Sequence, residues 1–169
     1  LTECGEKKVK AAIIVSAGFA EVGDEGMRLQ EQVIETARKY NIRVLGPNVL
    51  GLIRPPHNYN ASFAISSPPS GDVGFITQSG ALADSVIDWA IKERYAFSSL
   101  VSLGNSADLD AADFVQWLNT DERTKTIAVY LEGLSNGRKF MNAVKNSRKP
   151  VVILKGGQTE SGTKAVSSH

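Results

Sequence analysis

Between residues 73 and 154 the chain repeats one unit: a short apolar run, a small polar loop, then a stretch of helical periodicity. The apolar runs fall at 73–77, 98–103, 126–131 and 151–154. The helical stretches fall at 81–94, 111–119 and about 136–145, with stripes Leu82/Val86/Ala90, Ala111/Phe114/Val115/Leu118 and Phe140/Val144. Unbroken apolar runs are typical of strands covered on both faces. Strands spaced by single helices join through right-handed crossovers into a parallel sheet. The pattern predicts an α/β fold with a doubly wound parallel sheet over 72–169. It also predicts where a ligand goes. Parallel strands all exit at one edge, so the loops Gln78-Ser79-Gly80, Gly104-Asn105-Ser106, Glu132-Gly133 and Gly156-Gly157-Gln158 share a single rim, the usual binding edge of such sheets.

Ahead of this repeat, 9–16 reads as a strand and 24–40 as a helix with Asp24 and Glu25 at its N-terminus. A second short strand, 42–45, is stopped by Gly46-Pro47-Asn48. Two strands and one helix cannot close a core, so residues 1–53 are expected to be the end of a larger α/β domain. The first residue is Leu rather than Met, which fits a missing upstream portion. Residues 54–71 carry Pro55-Pro56 and Ser66-Ser67-Pro68-Pro69-Ser70-Gly71 and read as a connection holding one short strand near 61–65.

Composition narrows the function classes. A net charge of +1 offers no basic stripe for nucleic acid or an anionic membrane. No apolar run approaches the roughly 20 residues of a membrane-spanning helix, and the N-terminus has no signal-peptide pattern. One cysteine and two histidines argue against a zinc cluster and for a reducing, cytoplasmic setting.

Three places on this rim carry chemistry, and two more lie at the strand exits of the N-terminal unit. Ser79-Gly80-Ala81 is a tight turn entering a helix, where free N–H groups and the helix dipole favour an anion. Ser79 reads either as a donor to phosphate or as a plain N-cap. Glu132, at the end of a strand, reads as an acid that orients an imidazole or as a solvated loop carboxylate. His169 closes a Gly/Ser/Thr-rich stretch that core packing does not explain; its neutral nitrogen suits attack on phosphorus. Ser16-Ala17-Gly18-Phe19 and Gly46-Pro47-Asn48 leave the first two strands and suit either a nucleotide-like ligand or ordinary turn geometry. Asp108 and Asp110 read as helix N-caps, and His57 as a surface residue.

Taken together, Val15-Ser16-Ala17-Gly18-Phe19, Leu45-Gly46-Pro47-Asn48-Val49-Leu50-Gly51, Phe75-Ile76-Thr77-Gln78-Ser79-Gly80-Ala81-Leu82, Leu103-Gly104-Asn105, Tyr130-Leu131-Glu132-Gly133 and Lys164-Ala165-Val166-Ser167-Ser168-His169 resemble the nucleoside-diphosphate-forming acyl-CoA synthetase superfamily. The α-subunit of succinyl-CoA synthetase belongs to it, and the ADP-forming acetyl-CoA synthetase branch is most similar. The resemblance implies a Rossmann-like CoA-binding end (1–53), a linker (54–71) and a flavodoxin-like CoA-ligase domain (72–169). It implies His169 as the phosphorylated histidine, Glu132 as the acid that steadies it, and Ser79, Gly80 and Ala81 as the phosphate site. Ser16, Gly18 and Asn48 are implied as CoA contacts.

The implied substrates are coenzyme A, phosphate and an acyl-CoA or carboxylic acid, with no metal in this chain. ATP or ADP with Mg would bind an ATP-grasp subunit or fused domain absent here, within an oligomer. The chain lacks the Gly-rich start of the family's CoA domain, has Val49 where the family has Cys, and stops at the histidine. It is therefore expected to be a fragment, inactive alone. The alternative within the resemblance is an acyl-CoA-sensing module of a protein lysine acetyltransferase, without turnover.

Overall fold

A computed structural model of the protein describes residues 1–157. A short helix α1 (Thr2–Glu6) leads into strand β1 (Ala11–Ile13), helix α2 (Asp24–Lys39) and strand β2 (Arg43–Leu45). β1 and β2 pair in parallel, with Ala12 opposite Val44. α2 packs Ile34 and Ala37 against Ile42 and Val44. It has Asp24 and Glu25 in its first turn and Arg38 and Lys39 in its last, so both ends complement its dipole. β1 is shorter than the expected 9–16. The ladder continues one bond further, from Ile14 N to Leu45 O. Pro47 then follows Gly46 on the partner strand and has no N–H to extend it.

The next stretch departs most from the sequence reading. β3 (Gly51–Arg54) and β4 (Tyr59–Ser62) form an antiparallel hairpin. The turn uses a 3-10 helix at Pro55–His57 and a left-handed Asn58. β3 also pairs antiparallel with β6 (Phe97–Ser102). Residues expected to end the N-terminal unit (51–53) and to begin the linker (54–71) thus build the edge of the large sheet. Four residues followed by two prolines are too few to display a period, but Gly51 and Ile53 are buried while Leu52 and Arg54 are half-buried, the alternation of an outer strand.

The repeat expected from the sequence follows: β5 (Ser70–Thr77), α3 (Gly80–Glu93), β6, α4 (Ala111–Thr120), β7 (Thr126–Leu131), α5 (Gly137–Lys145) and β8 (Val151–Lys155). The strand order is β4-β3-β6-β5-β7-β8. β6, β5, β7 and β8 are mutually parallel, so the sheet is parallel apart from its hairpin edge. One core holds Ala83, Ile87 and Ala90 of α3 with Phe75 and Leu100. The other holds Phe114, Val115, Leu118 and Phe140 of α4 and α5 with Ile76, Ile127 and Val129. Helices therefore cover both faces. From β5 the chain crosses to β6 on one side, then returns past β5 to β7 on the other. That reversal makes the crevice above β5 and β7 a topological switch point, where α/β sheets bind ligands.

The loop from β6 to α4 laces the two sheets together. Asn105 N donates to Pro47 O at 3.0 Å, Ala107 N to Gly46 O at 3.1 Å and Leu109 N to Val44 O at 3.1 Å. Asp108 is no N-cap: its Oδ2 accepts from Val44 N at 2.7 Å and from Arg43 Nε at 3.0 Å. Asp110 caps α4 as expected, in a reciprocal box with Asp113. At the tightest point Gly104 has φ +54°, and an added Cβ would lie 2.2 Å from Asn48 O and 2.3 Å from Pro47 O. Both atoms are backbone and cannot step aside. Gly104→Ala is expected to cost at least about 2 kcal/mol, read as a lower urea midpoint. An unchanged midpoint would mean the loop is not pinned there.

At the opposite end of the sheet Arg54 donates to Asp121 Oδ1 at 2.7 Å, with its guanidinium 4.8 Å from the Trp117 ring centroid. Burial alone would raise the Asp121 carboxyl, but hydrogen bonds from Thr124 and Arg54 and the charges of Arg54 and Lys149 outweigh it and hold it below its ordinary value. A depressed folded-state pKa adds stability that is fully present above the unfolded value of about 3.9 and is lost as pH falls through the folded one. Asp121→Asn is therefore expected to destabilise by about 2 kcal/mol at pH 7, with the gap from wild type closing below about pH 4. Urea melts at pH 7 and pH 3 check this, and a gap independent of pH would refute it.

Candidate functional site

The switch-point crevice opens into a cavity of about 740 Å³ that both sheets line. Its floor is the turn between β5 and α3. Thr77 Oγ1 accepts from Ser79 N at 3.0 Å and donates to Ser79 O at 3.1 Å, which fixes the turn. Ser79 has extended backbone and caps α3, its Oγ accepting from Leu82 N at 3.3 Å. Capping uses the oxygen's lone pair and leaves the hydroxyl hydrogen for a ligand. The N–H groups of Gly80 and Ala81 make no hydrogen bond to another described residue, as the first turn of a helix dictates. A Cβ on Gly80 would meet nothing within 4 Å. Both residues line the cavity, at the positive end of the helix dipole.

Glu132 reaches the same cavity from the end of β7. Its backbone is held on both sides: Glu132 N donates to Gln78 Oε1 at 2.6 Å, and Glu132 O accepts from Lys155 Nζ at 2.7 Å. The residue is half-buried, and its carboxylate has no hydrogen bond or ion pair among the described residues. A fixed backbone carrying an unengaged carboxylate is what an acid needs to meet an incoming imidazole.

The far wall comes from the N-terminal sheet and the β6–α4 loop. Asn48 lines it and donates through Nδ2 to Asn105 Oδ1 at 3.4 Å. Asn105 Nδ2 donates in turn to Gln30 Oε1 at 2.9 Å and to Glu21 Oε2 at 2.5 Å. Ala17 lines the cavity, whereas Ser16 and Gly18 flank it. Ser16 O accepts from Asn48 N at 3.0 Å, and Gly18 N donates to Glu21 Oε1 at 2.5 Å. Partial burial pulls the Glu21 carboxyl upward, but the hydrogen bonds from Asn105, Gly18 and Phe19 prevail and hold it below its ordinary value.

Sequence reasoning did not single out Glu21, Gln78 or Asn105 as site residues. Their roles rest on contacts to residues as far apart as 84 positions, which no local pattern announces. His57 is exposed on the hairpin turn, and His169 lies outside the described residues. Among the described residues no cluster of His, Cys, Asp or Glu fits a metal ion, and no helix is long and apolar enough to cross a membrane.

The electrostatics of the cavity are unusual for an anion site. Glu21, Asp84 and Glu132 line it, and no lysine or arginine does among the described residues. The described donors for negative charge on a ligand are then N–H and O–H dipoles. Apolar side chains line the cavity as well: Val15, Val49, Leu50 and Phe63.

Residues 70–169, more than half of the chain, match the succinyl-CoA ligase like flavodoxin domain. The chain belongs to this family of nucleoside-diphosphate-forming acyl-CoA synthetases. Within it, the chain is 43% identical over its whole length to the α-subunit of ADP-forming acetate–CoA ligase I from Pyrococcus furiosus, spanning 37% of that protein. It is 43% identical, again over its whole length, to an ADP-forming acetate–CoA ligase of Methanocaldococcus jannaschii, spanning 24% of it. Among solved structures, an acetyl-coenzyme A synthetase from Ca. Korarchaeum cryptofilum, in complex with phosphate and ADP, superposes with a TM-score of 0.92 at 40% identity, over 98% of this chain and 36% of that one. The chain thus spans 37% and 24% of the lengths of these two relatives and 36% of the Korarchaeum chain. Its sheet is the family's flavodoxin-like CoA-ligase fold.

Proposed function

We propose that this chain is the CoA-ligase portion of an ADP-forming acyl-CoA synthetase, with residues 1–53 as the end of its Rossmann-like CoA-binding domain. The observation that carries the proposal is the convergence, on one cavity, of the unpaired Gly80 and Ala81 N–H groups with the unengaged Glu132 carboxylate. The first can hold a phosphoryl group by dipoles alone. The second can steady an imidazolium. The family's chemistry needs both in one place.

In this reading phosphate sits on the α3 N-terminus and attacks the thioester carbon of an acyl-CoA. The C–S bond breaks, CoA leaves as the thiol, and an acyl phosphate forms. His169 then attacks phosphorus and the carboxylate leaves, giving phosphohistidine. The Glu132 carboxylate accepts the imidazole's other N–H and compensates the charge that develops. Asn48 and the turn Ser16-Ala17-Gly18 meet coenzyme A, and the apolar lining residues, Phe63 among them, take the acyl-thioester arm. ADP, with its Mg, receives the phosphoryl group on an ATP-grasp subunit or fused domain outside this chain. The subunit name of the Pyrococcus relative and the ADP and phosphate in the Korarchaeum complex support that division of labour. The single cysteine of this chain suits a reducing cytoplasm.

The test is to phosphorylate the full-length protein with labelled ATP and map acid-labile phosphate. Label on His169 is expected, and its absence from folded protein would end the proposal. A protein that binds acyl-CoA but takes no label would be a sensor instead.

A further inference from the structure

We propose that Gln78 both positions Glu132 and donates a hydrogen bond to the phosphoryl group, an inference that rests on the reading of Glu132 and His169 above. Gln78 Oε1 accepts two N–H groups at once, from Glu132 at 2.6 Å and from Gly133 at 2.9 Å. Its own backbone N–H donates to Tyr130 O at 3.3 Å. One residue on the β5 exit therefore ties down the β7 exit, across the switch point, through three bonds.

The double acceptance has a second consequence. Only the oxygen end of an amide can accept, so two N–H groups facing one atom fix which way the amide is turned. The Nε2 end, with two hydrogens, is left with no partner among the described residues, on a side chain that lines the cavity. The next residues along the chain are Ser79, Gly80 and Ala81, whose turn supplies the other free donors. In a cavity whose described walls hold three carboxylates and no lysine or arginine, a neutral donor locked in place is worth more than usual. It adds attraction for an anion and needs no counter-charge that Glu132 would neutralise.

The two roles separate by substitution. Gln78→Glu keeps an acceptor for both backbone N–H groups and replaces the donating NH₂ with an anionic oxygen. Gln78→Met keeps the length and removes both functions. In the full-length protein, with acetyl-CoA and inorganic phosphate as substrates, Gln78→Glu is expected to raise the KM for phosphate by at least about 10-fold, since a donor becomes a repelling charge. Its urea midpoint should stay unchanged. Gln78→Met is expected to slow labelling of His169 by ATP about 100-fold as well, because a shift of about 1 Å in a positioned group costs that much.

A Gln78→Glu enzyme with a wild-type phosphate KM overturns the donor role. A folded Gln78→Met enzyme that labels His169 at the wild-type rate overturns the positioning role. Should Gln78→Met fail to fold, the phosphate KM of Gln78→Glu still decides, because a residue that only braced the loops would leave that constant alone. Wild-type protein that takes no label overturns the underlying reading, and the inference falls with it in a way no Gln78 variant can imitate.

Discussion

Replacing Glu132 by glutamine is expected to cut phosphoryl transfer through His169 by on the order of 10³-fold and to leave the fold untouched. Stability is spared because the carboxylate makes no hydrogen bond or ion pair with a described residue, while the backbone that carries it is held by Gln78 and Lys155. An isosteric change there belongs with surface substitutions, within about 0.5 kcal/mol. Catalysis is not spared. The amide of glutamine can offer oxygen or NH₂ to the imidazole, but it carries no charge to balance the imidazolium. In hydrolytic triads the same carboxylate-to-amide change costs about 10⁴-fold through the wrong tautomer and lost charge. A somewhat smaller loss fits the carboxylate of a half-exposed residue, whose field is partly screened. Acid-labile label on His169, followed in time beside a urea melt, measures both halves. A Glu132→Gln enzyme that labels as fast as wild type would remove Glu132 from the mechanism.

How far such a site could be read from sequence depended on the range of the contacts behind each residue. The α3 turn was legible because it is local: a strand of apolar residues, a capping serine and two small residues before a helical stripe define it within nine positions. β7 was legible for the same reason, and the reversal of strand order put Glu132 on the same rim. Of the hairpin 51–62 only a short strand near 61–65 was legible, where β4 lies at Tyr59–Ser62; β3 was not, because four residues show no period and its place in the large sheet comes from β6, over 40 residues later. Asp108 looked like a helix cap and instead serves Val44, 64 residues earlier. Ser16 and Gly18 carried a recognisable motif, yet the fold brings Ala17 to the cavity wall and engages the Gly18 N–H with Glu21. Local chemistry is written in local sequence, whereas pairing across the fold is decided by topology.

Gly80 allows stability and function to be driven in opposite directions. It is the first residue of α3, behind a Ser79 whose ψ of 118° is extended. Proline is favoured at that helix position, and an extended preceding residue suits it. A Cβ there would meet nothing within 4 Å. Gly80→Pro is therefore expected to fold and to gain about 0.4–1 kcal/mol by restricting the unfolded chain. It also deletes one of the two N–H groups on which the phosphoryl group is proposed to rest. Removing one such preorganised donor costs about 10²–10³-fold in rate, so the variant should be the more stable protein and nearly inactive. Gly80→Ala supplies the control: it keeps the N–H, gains a similar amount of stability, and should retain activity within a few-fold. Parallel urea melts and rates of acetyl phosphate formation in the full-length protein read both effects. Equal activity in the two variants would show that the Gly80 N–H is a helix end and nothing more, whereas a stable, inactive proline variant beside an active alanine one leaves the missing hydrogen as the difference.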